Sequence, residues 1–288
     1  MLASYLFAWL AVLGISLGAM ANLMVHTLTH GRWGLPLRPP LLAAVRLLPL
    51  VALLFLPVLI GYRHIFPWAG DEAAAEHAAW WLNAPFFLAR SVAYLAIWNW
   101  LAWLWLRADA RSGAPWAPTD AARRASAAGL VVYTFTISLA ATDWIASLTP
   151  AWYSSGFGLV VGVGQMLAGA AFGVAAFCIA APENEETRAL AHDHGNLLLM
   201  YVMTWAYLAF TQFLIIWAEN LPHEIAWYVP RLQTGWWGLG AFLVAFQFFL
   251  PFLILLSRGA KRAPRFLAGL ATALLVAYVA NVFWLVLP

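Results

Sequence analysis

The sequence is short of charge. Only 9% of its 288 residues are Asp, Glu, Lys or Arg, against about 25% in an ordinary soluble domain. That shortage excludes a water-solvated globule. The net charge of +3 is small and sits in loops, so it does not point to nucleic acid as a partner. Cysteine is almost absent. Cys178 stands alone inside an apolar run, and neither an internal disulfide, an iron–sulfur cluster nor a cysteine-based zinc site is assembled from one thiol. There is no P-loop, dinucleotide-binding glycine motif or nucleophile elbow. The first 25 residues lack a basic leader and a clear small-residue cleavage site, so they read as a first span rather than a removable signal.

What fills the chain instead is apolar surface, 64% of the residues. Runs of about 18 or more apolar residues recur, the pattern of membrane-crossing helices. The expectation is an all-α integral membrane protein with eight transmembrane helices, near 3–25, 41–61, 84–106, 128–147, 157–180, 195–218, 235–256 and 266–286. Loop charge orients it. Call the two sides face A and face B, with the N-terminus on B. Face A then carries Arg32, Arg38, Arg46, Arg107, Arg111, Arg123, Arg124, Arg188, Arg258, Lys261, Arg262 and Arg265, while face B has Arg63, Arg90 and Arg231. Basic residues collect on the cytoplasmic side, so both termini are expected to be periplasmic. Trp80, Trp81, Trp144, Trp152, Trp217, Trp227, Trp236 and Trp237 fall at face-B ends and read as an interfacial belt. Gly158 with Gly162, and Gly169 with Gly173, each flatten one helix face for close packing. No broken helix or inverted repeat is visible, which disfavours a stand-alone transporter.

The informative side chains are the ionisable ones carried to membrane depth, where burial without a partner is costly. Asn83 and Pro85 set the start of the third span, which puts Arg90 about 9 Å below face B and Asp143 about 6 Å below it on the fourth span. Matching depths predict that Arg90 and Asp143 pair, or share a polar pocket with Glu219. Glu219, His223 and Glu224 add titratable groups on the same side, the kind that accept protons near neutral pH. Towards face A lie His26 and His30, one turn apart if their helix continues, and "HDHGN", His192 to Asn196. Two histidines are too few for a metal site; with Asp193 and His194 these groups suit a cytoplasmic proton entry. Thr134, Ser138 and Thr142 form one polar stripe, and Thr204, Tyr207 and Thr211 another. Hydroxyls in such positions commonly bond their own backbone, and no continuous line of titratable groups crosses the membrane centre. All seven histidines, including His64 and His77, lie at helix ends or in loops, so no axial pair for haem is expected.

Several stretches resemble the ActF-type membrane subunit of alternative complex III, a bacterial quinol:cytochrome c oxidoreductase. They are "WLNAPFFLARSVAYLAIW", "TDWIASLTPAWYSSGFG", "HDHGNLLLMYVMTWAYLAFTQFLIIWAENLPHEIAWY", "LLSRGAKRAPR" and "FWLVLP". The resemblance implies an NrfD-like fold of two four-helix bundles, here 1–147 and 157–288. It also implies residence in the bacterial inner membrane beside iron–sulfur, c-haem and sister quinone-binding subunits, with a terminal oxidase as a further neighbour. On that basis the chain itself holds no haem or iron–sulfur cluster and borders a quinol pocket near the periplasmic face. Asp143 is the candidate proton acceptor, Arg90 its electrostatic partner and Glu219 a relay. Trp144, Trp152, Tyr153 and His223 are the candidate quinone-lining residues. His26, His192, Asp193, His194, Thr204 and Tyr207 are the candidate proton path. Family members run to ten spans, and their usual "HDLGK" is "HDHGN" here, with Asn196 in place of lysine. Tyr278 and Asn281 stand where a His and an Asp are usual. The competing expectation is a structural assembly subunit whose polar pairs only lock helices together.

Overall fold

The computed structural model describes residues 2–70, 79–111, 118–150 and 152–287, and the described residues form helices joined by short turns. The expectation for His77 lies outside them. In chain order the helices are α1 (Leu2–Thr29), α2 (Gly34–Arg46), α3 (Leu48–Leu53), α4 (Leu56–Ile65), α5 (Pro67–Gly70), α6 (Ala84–Ala110), α7 (Asp120–Trp144), α8 (Phe157–Ala180) and α9 (Glu185–Glu219). They continue with α10 (Pro222–Ile225), α11 (Val229–Gln233), α12 (Trp237–Leu243), α13 (Leu250–Leu256), α14 (Arg258–Lys261) and α15 (Pro264–Val286). A 3₁₀ turn, Ala146–Leu148, follows α7, and a π-helical segment, Val244–Phe249, joins α12 to α13.

Seven helical stretches are long and apolar enough to cross a membrane: Leu2–Thr29, Gly34–Leu53, Asp120–Leu148, Phe157–Ala180, Glu185–Glu219, Trp237–Leu256 and Pro264–Val286. The chain is therefore a multi-pass helical membrane protein. The third expected span, α6, has the length, 27 residues, but carries Arg90, Asn99, Arg107 and Asp109 and is not among the seven.

Local sequence sets the helix limits. The Asn83 side chain accepts from the Phe86 N–H at 3.1 Å, capping α6 ahead of Pro85. Asn184 does the same for α9 through Thr187 N–H at 2.8 Å. Prolines bend two spans. The expected single helix 41–61 is α2 to α4, kinked where Pro49 and Pro57 open new first turns. Backbone bonds such as Val51 N–H to Leu47 O, 2.9 Å, carry across the bend. Pro251 has no N–H to offer the Gln247 carbonyl one turn back, and the wider π turn comes just before it.

α8 is the central post. It packs on α1, α2, α7, α9 and α15, and one hydrophobic cluster runs through all of these. Glycine permits the approach. A methyl group at Gly169 would lie 2.4 Å from the Ala19 backbone nitrogen, and one at Gly18 would lie 1.8 Å from the Gln165 carbonyl oxygen. Gly158 meets Ser138 in the same way. The small residues of the fifth span are thus spent inside the bundle, Gly158 and Gly169 against neighbouring backbone and Gly162 and Gly173 against side chains of α7 and α2.

The tryptophan belt divides. Trp80, Trp217 and Trp237 are exposed as expected, but Trp144, Trp152 and Trp227 are buried among other rings. Position near a membrane surface does not distinguish an indole facing lipid from one turned inward.

Gly169→Val should drive a branched side chain into the α1 backbone and cost roughly 1–3 kcal/mol or more. Gly269, where a methyl group meets nothing within 4 Å, should tolerate alanine and gain up to about 1 kcal/mol of helix propensity. Thermal unfolding of both variants in the same detergent checks the contrast.

Candidate functional site

Asp143 lies on the last turn of α7 and is completely buried. Its carboxylate accepts four hydrogen bonds. Arg90 on α6 donates twice, Nε to Oδ2 at 2.8 Å and Nη2 to Oδ1 at 2.7 Å. The Tyr94 hydroxyl donates to Oδ2 at 2.8 Å, and Trp81 Nε1 donates to Oδ1 at 2.8 Å. Each oxygen therefore has two donors, close to the full acceptor capacity of an ionised carboxylate. A forked, two-point arginine contact is the strong form of such a pair.

The arginine is held through Nε and Nη2, while its buried Nη1 has no partner among the described residues. Nη2 also donates to the Trp81 carbonyl at 3.0 Å. Its guanidinium carbon lies 4.0 Å from the Trp81 ring centre and 4.1 Å from that of Phe86, which flank the cation. Arg90 and Tyr94 are one turn apart on α6, so they present to Asp143 together. Beneath the pair is a ring cluster. Trp144 contacts Trp9, Phe55, Tyr94 and Trp98 at 4.9–5.8 Å between centres, and its Nε1 donates to Ser91 Oγ at 2.9 Å. Trp144 thus supports the site from below rather than lining an open pocket.

The expected Arg90–Asp143 pair is present, and the expected sharing with Glu219 is not. Glu219 is exposed at the end of α9, and none of the hydrogen bonds of Arg90 or Asp143 reaches it. Trp152 is buried, stacked on Trp227 at 5.1 Å. Tyr153 is exposed and stacks on exposed His223 at 5.8 Å, forming a separate surface pair. Tyr94 and Trp81 were missed by sequence reasoning. Tyr94 carried a usable signal, its spacing of four from Arg90; Trp81 lies in the turn before α6 and had none beyond its neighbours.

A second buried cation was hidden among the loop charges. Arg231 on α11 is buried and donates to the carbonyls of Trp227 at 2.7 Å, Leu285 at 3.1 Å and Trp284 at 3.2 Å. It stacks 3.8 Å from the Trp227 ring centre. Burial pushes the guanidinium down to about 10, with Tyr228 opposing, so it remains a cation at neutral pH. It caps the open carbonyls at the C-terminal end of α15, where positive charge is favoured.

Near face A the histidines separate. α1 ends at Thr29 and His30 is left-handed at φ 57°, so His26 and His30 do not share a helix face. His26 Nε2–H donates to Gly31 O at 3.0 Å, and His194 Nε2–H donates to Trp33 O at 2.7 Å. Both buried rings clamp one loop. His192 and Asp193 are at the rim, 3.8 Å apart. Lys261 is also buried and donates to Asn196 Oδ1 at 2.7 Å, so an ammonium from α14 meets α9 at "HDHGN". Thr204 bonds its own Met200 carbonyl at 2.8 Å, and Tyr207 is 68% exposed on the outer side of α9. Those two do not join the histidines. Thr134, Ser138 and Thr142 each bond the carbonyl four residues back. Among the described residues no group of three or more His, Cys, Asp or Glu side chains is placed to hold a metal ion.

Polar contacts do reach the bundle interior. Tyr201 donates to Asn22 Oδ1 at 2.9 Å, Asn22 donates to Met166 O at 2.9 Å, and Tyr133 donates to Gln165 Oε1 at 2.9 Å. None of these groups carries a formal charge at neutral pH.

Removing one partner of a buried pair leaves the other charge stranded, at a cost of about 3–5 kcal/mol. Arg90→Met and Asp143→Leu should each destabilise by that order, and the double variant by much less than their sum. Chemical unfolding of the four proteins measures the coupling. No protein-family model matches the chain, and no curated protein matches it.

Proposed function

We propose that the chain is an integral subunit of a quinol-oxidising respiratory complex in the bacterial inner membrane, of the ActF type that its motifs resemble. In this reading eight spans cross the membrane as two four-helix bundles, with both termini periplasmic. The iron–sulfur, c-haem and sister quinone-binding subunits carry the redox groups, and this chain forms part of the wall beside the quinol. Its Arg90–Asp143 unit pins α6 to α7 there and keeps a fixed, dry polar anchor next to the periplasmic surface.

One observation supports the pinning role above proton exchange: the Asp143 carboxylate is completely buried under four donors. Moving Arg90 aside to free an Asp143 oxygen would strand a buried cation, which is strongly unfavourable. A group that cycles protons works best when its two protonation states are close in free energy. Four donors around Asp143 leave no open position from which a quinol or a proton carrier could reach the carboxylate.

Asp143→Asn tests this in the purified complex. It keeps the shape and removes the charge. The expected outcome is a poorly assembled, less thermostable complex whose remaining assembled fraction oxidises quinol within about twofold of the parent rate and with an unmoved pH profile. Normal assembly with turnover lost would instead make Asp143 the proton acceptor.

A further inference from the structure

Among the buried polar side chains outside the Arg90–Asp143 unit, three share a single cavity. Gln165 on α8 and Tyr278 and Asn281 on α15 line a small cavity of about 10 Å³ together with Leu10, Ile145, Val161, Val282 and Leu285. All three polar residues are at least nine-tenths buried, at 2%, 3% and 5% exposure. Their polar ends are largely unspent. Gln165 uses Oε1 to accept from Tyr133, while its amide nitrogen, the Tyr278 hydroxyl and the Asn281 carboxamide bond no other group among the described residues. All three residues line the same cavity. A methyl group at Gly14 would sit 1.7 Å from the Tyr278 hydroxyl and 3.1 Å from Gln165 Cγ, so the two side chains meet over the same bare glycine.

Such groups are not stable in hydrocarbon without partners. Donors and acceptors are both available: the Gln165 amide donates, the Asn281 carboxamide does either, and the Tyr278 hydroxyl does either. A buried water typically makes about three hydrogen bonds, and a cavity of roughly 10–15 Å³ holds one. A charged ligand is disfavoured because no ionised side chain lines the cavity. An apolar ligand larger than a methyl group has no room.

We propose that Gln165, Tyr278 and Asn281 form a binding site for a single internal water, which hydrogen-bonds α8 to α15 inside the membrane. Through Gln165 this water joins the Tyr133 hydroxyl, so one hydrogen-bonded set ties α7, α8 and α15 together. The site is about 8 Å from the face-B end of α15, five residues before its last residue. It does not depend on the chain being a quinol-complex subunit.

A density map of the purified protein that resolves interior waters tests the site. The expected result is a peak within about 2.7–3.2 Å of Gln165, Tyr278 and Asn281, lost in Asn281→Leu. An unoccupied cavity in a map that shows other interior waters would overturn the proposal. So would the three side chains turning to bond one another directly, or a peak that survives Asn281→Leu unchanged. Should the variant fail to fold, the parent map alone decides between the first two outcomes.

Discussion

A polar group carried into a bilayer has no solvent to fall back on, so it must find its partner within the protein. That constraint organises this chain. The few charges buried among the helices are each met in a different way. Asp143 is saturated by Arg90, Tyr94 and Trp81. Arg231 has no acid in its hydrogen bonds and spends its donors on three carbonyls at a helix end. Lys261 leans on an amide. Hydroxyls along the spans fold back onto their own helices.

The rest of the architecture follows from fitting helices closely around those groups. Hydrophobic burial gives little reason for one apolar helix to prefer another over lipid, so contact area has to come from small residues and shape. Gly18 and Gly169 let α1 and α8 meet backbone to backbone. The ring cluster of Trp9, Phe55, Trp98 and Trp144 then fills the space under the Arg90–Asp143 pair. Site and scaffold share residues, since Trp144 belongs to both and adjoins Asp143 in sequence.

How much was legible in the sequence depended on the kind of signal. Arg90 and Asp143 were readable because charge at membrane depth is rare and their depths matched from opposite chain directions. The Asn83 cap was readable from local chemistry. Sidedness within a helix was not. Thr204 and Tyr207 do lie along one face, but an amphipathic pattern cannot say which face turns inward when both surroundings are apolar. Hence Tyr207 points outward, while Tyr201, two turns earlier, is buried against Asn22. Arg231 and Lys261 were counted as loop charges because loop position carries no information about burial. The His26–His30 spacing failed because the helix ends between them, at a left-handed residue that is neither Gly nor Asn.

The central claim is that the Arg90–Asp143 pair is a fixed anchor between α6 and α7 that takes no part in proton exchange. Infrared difference spectroscopy during turnover of the quinol-oxidising complex proposed for the chain, with Asp143→Asn as the reference, tests it most directly. The account predicts no protonated-carboxyl signal assignable to Asp143 at any stage. A carboxylic-acid band that rises and falls with turnover and vanishes in the variant would contradict it.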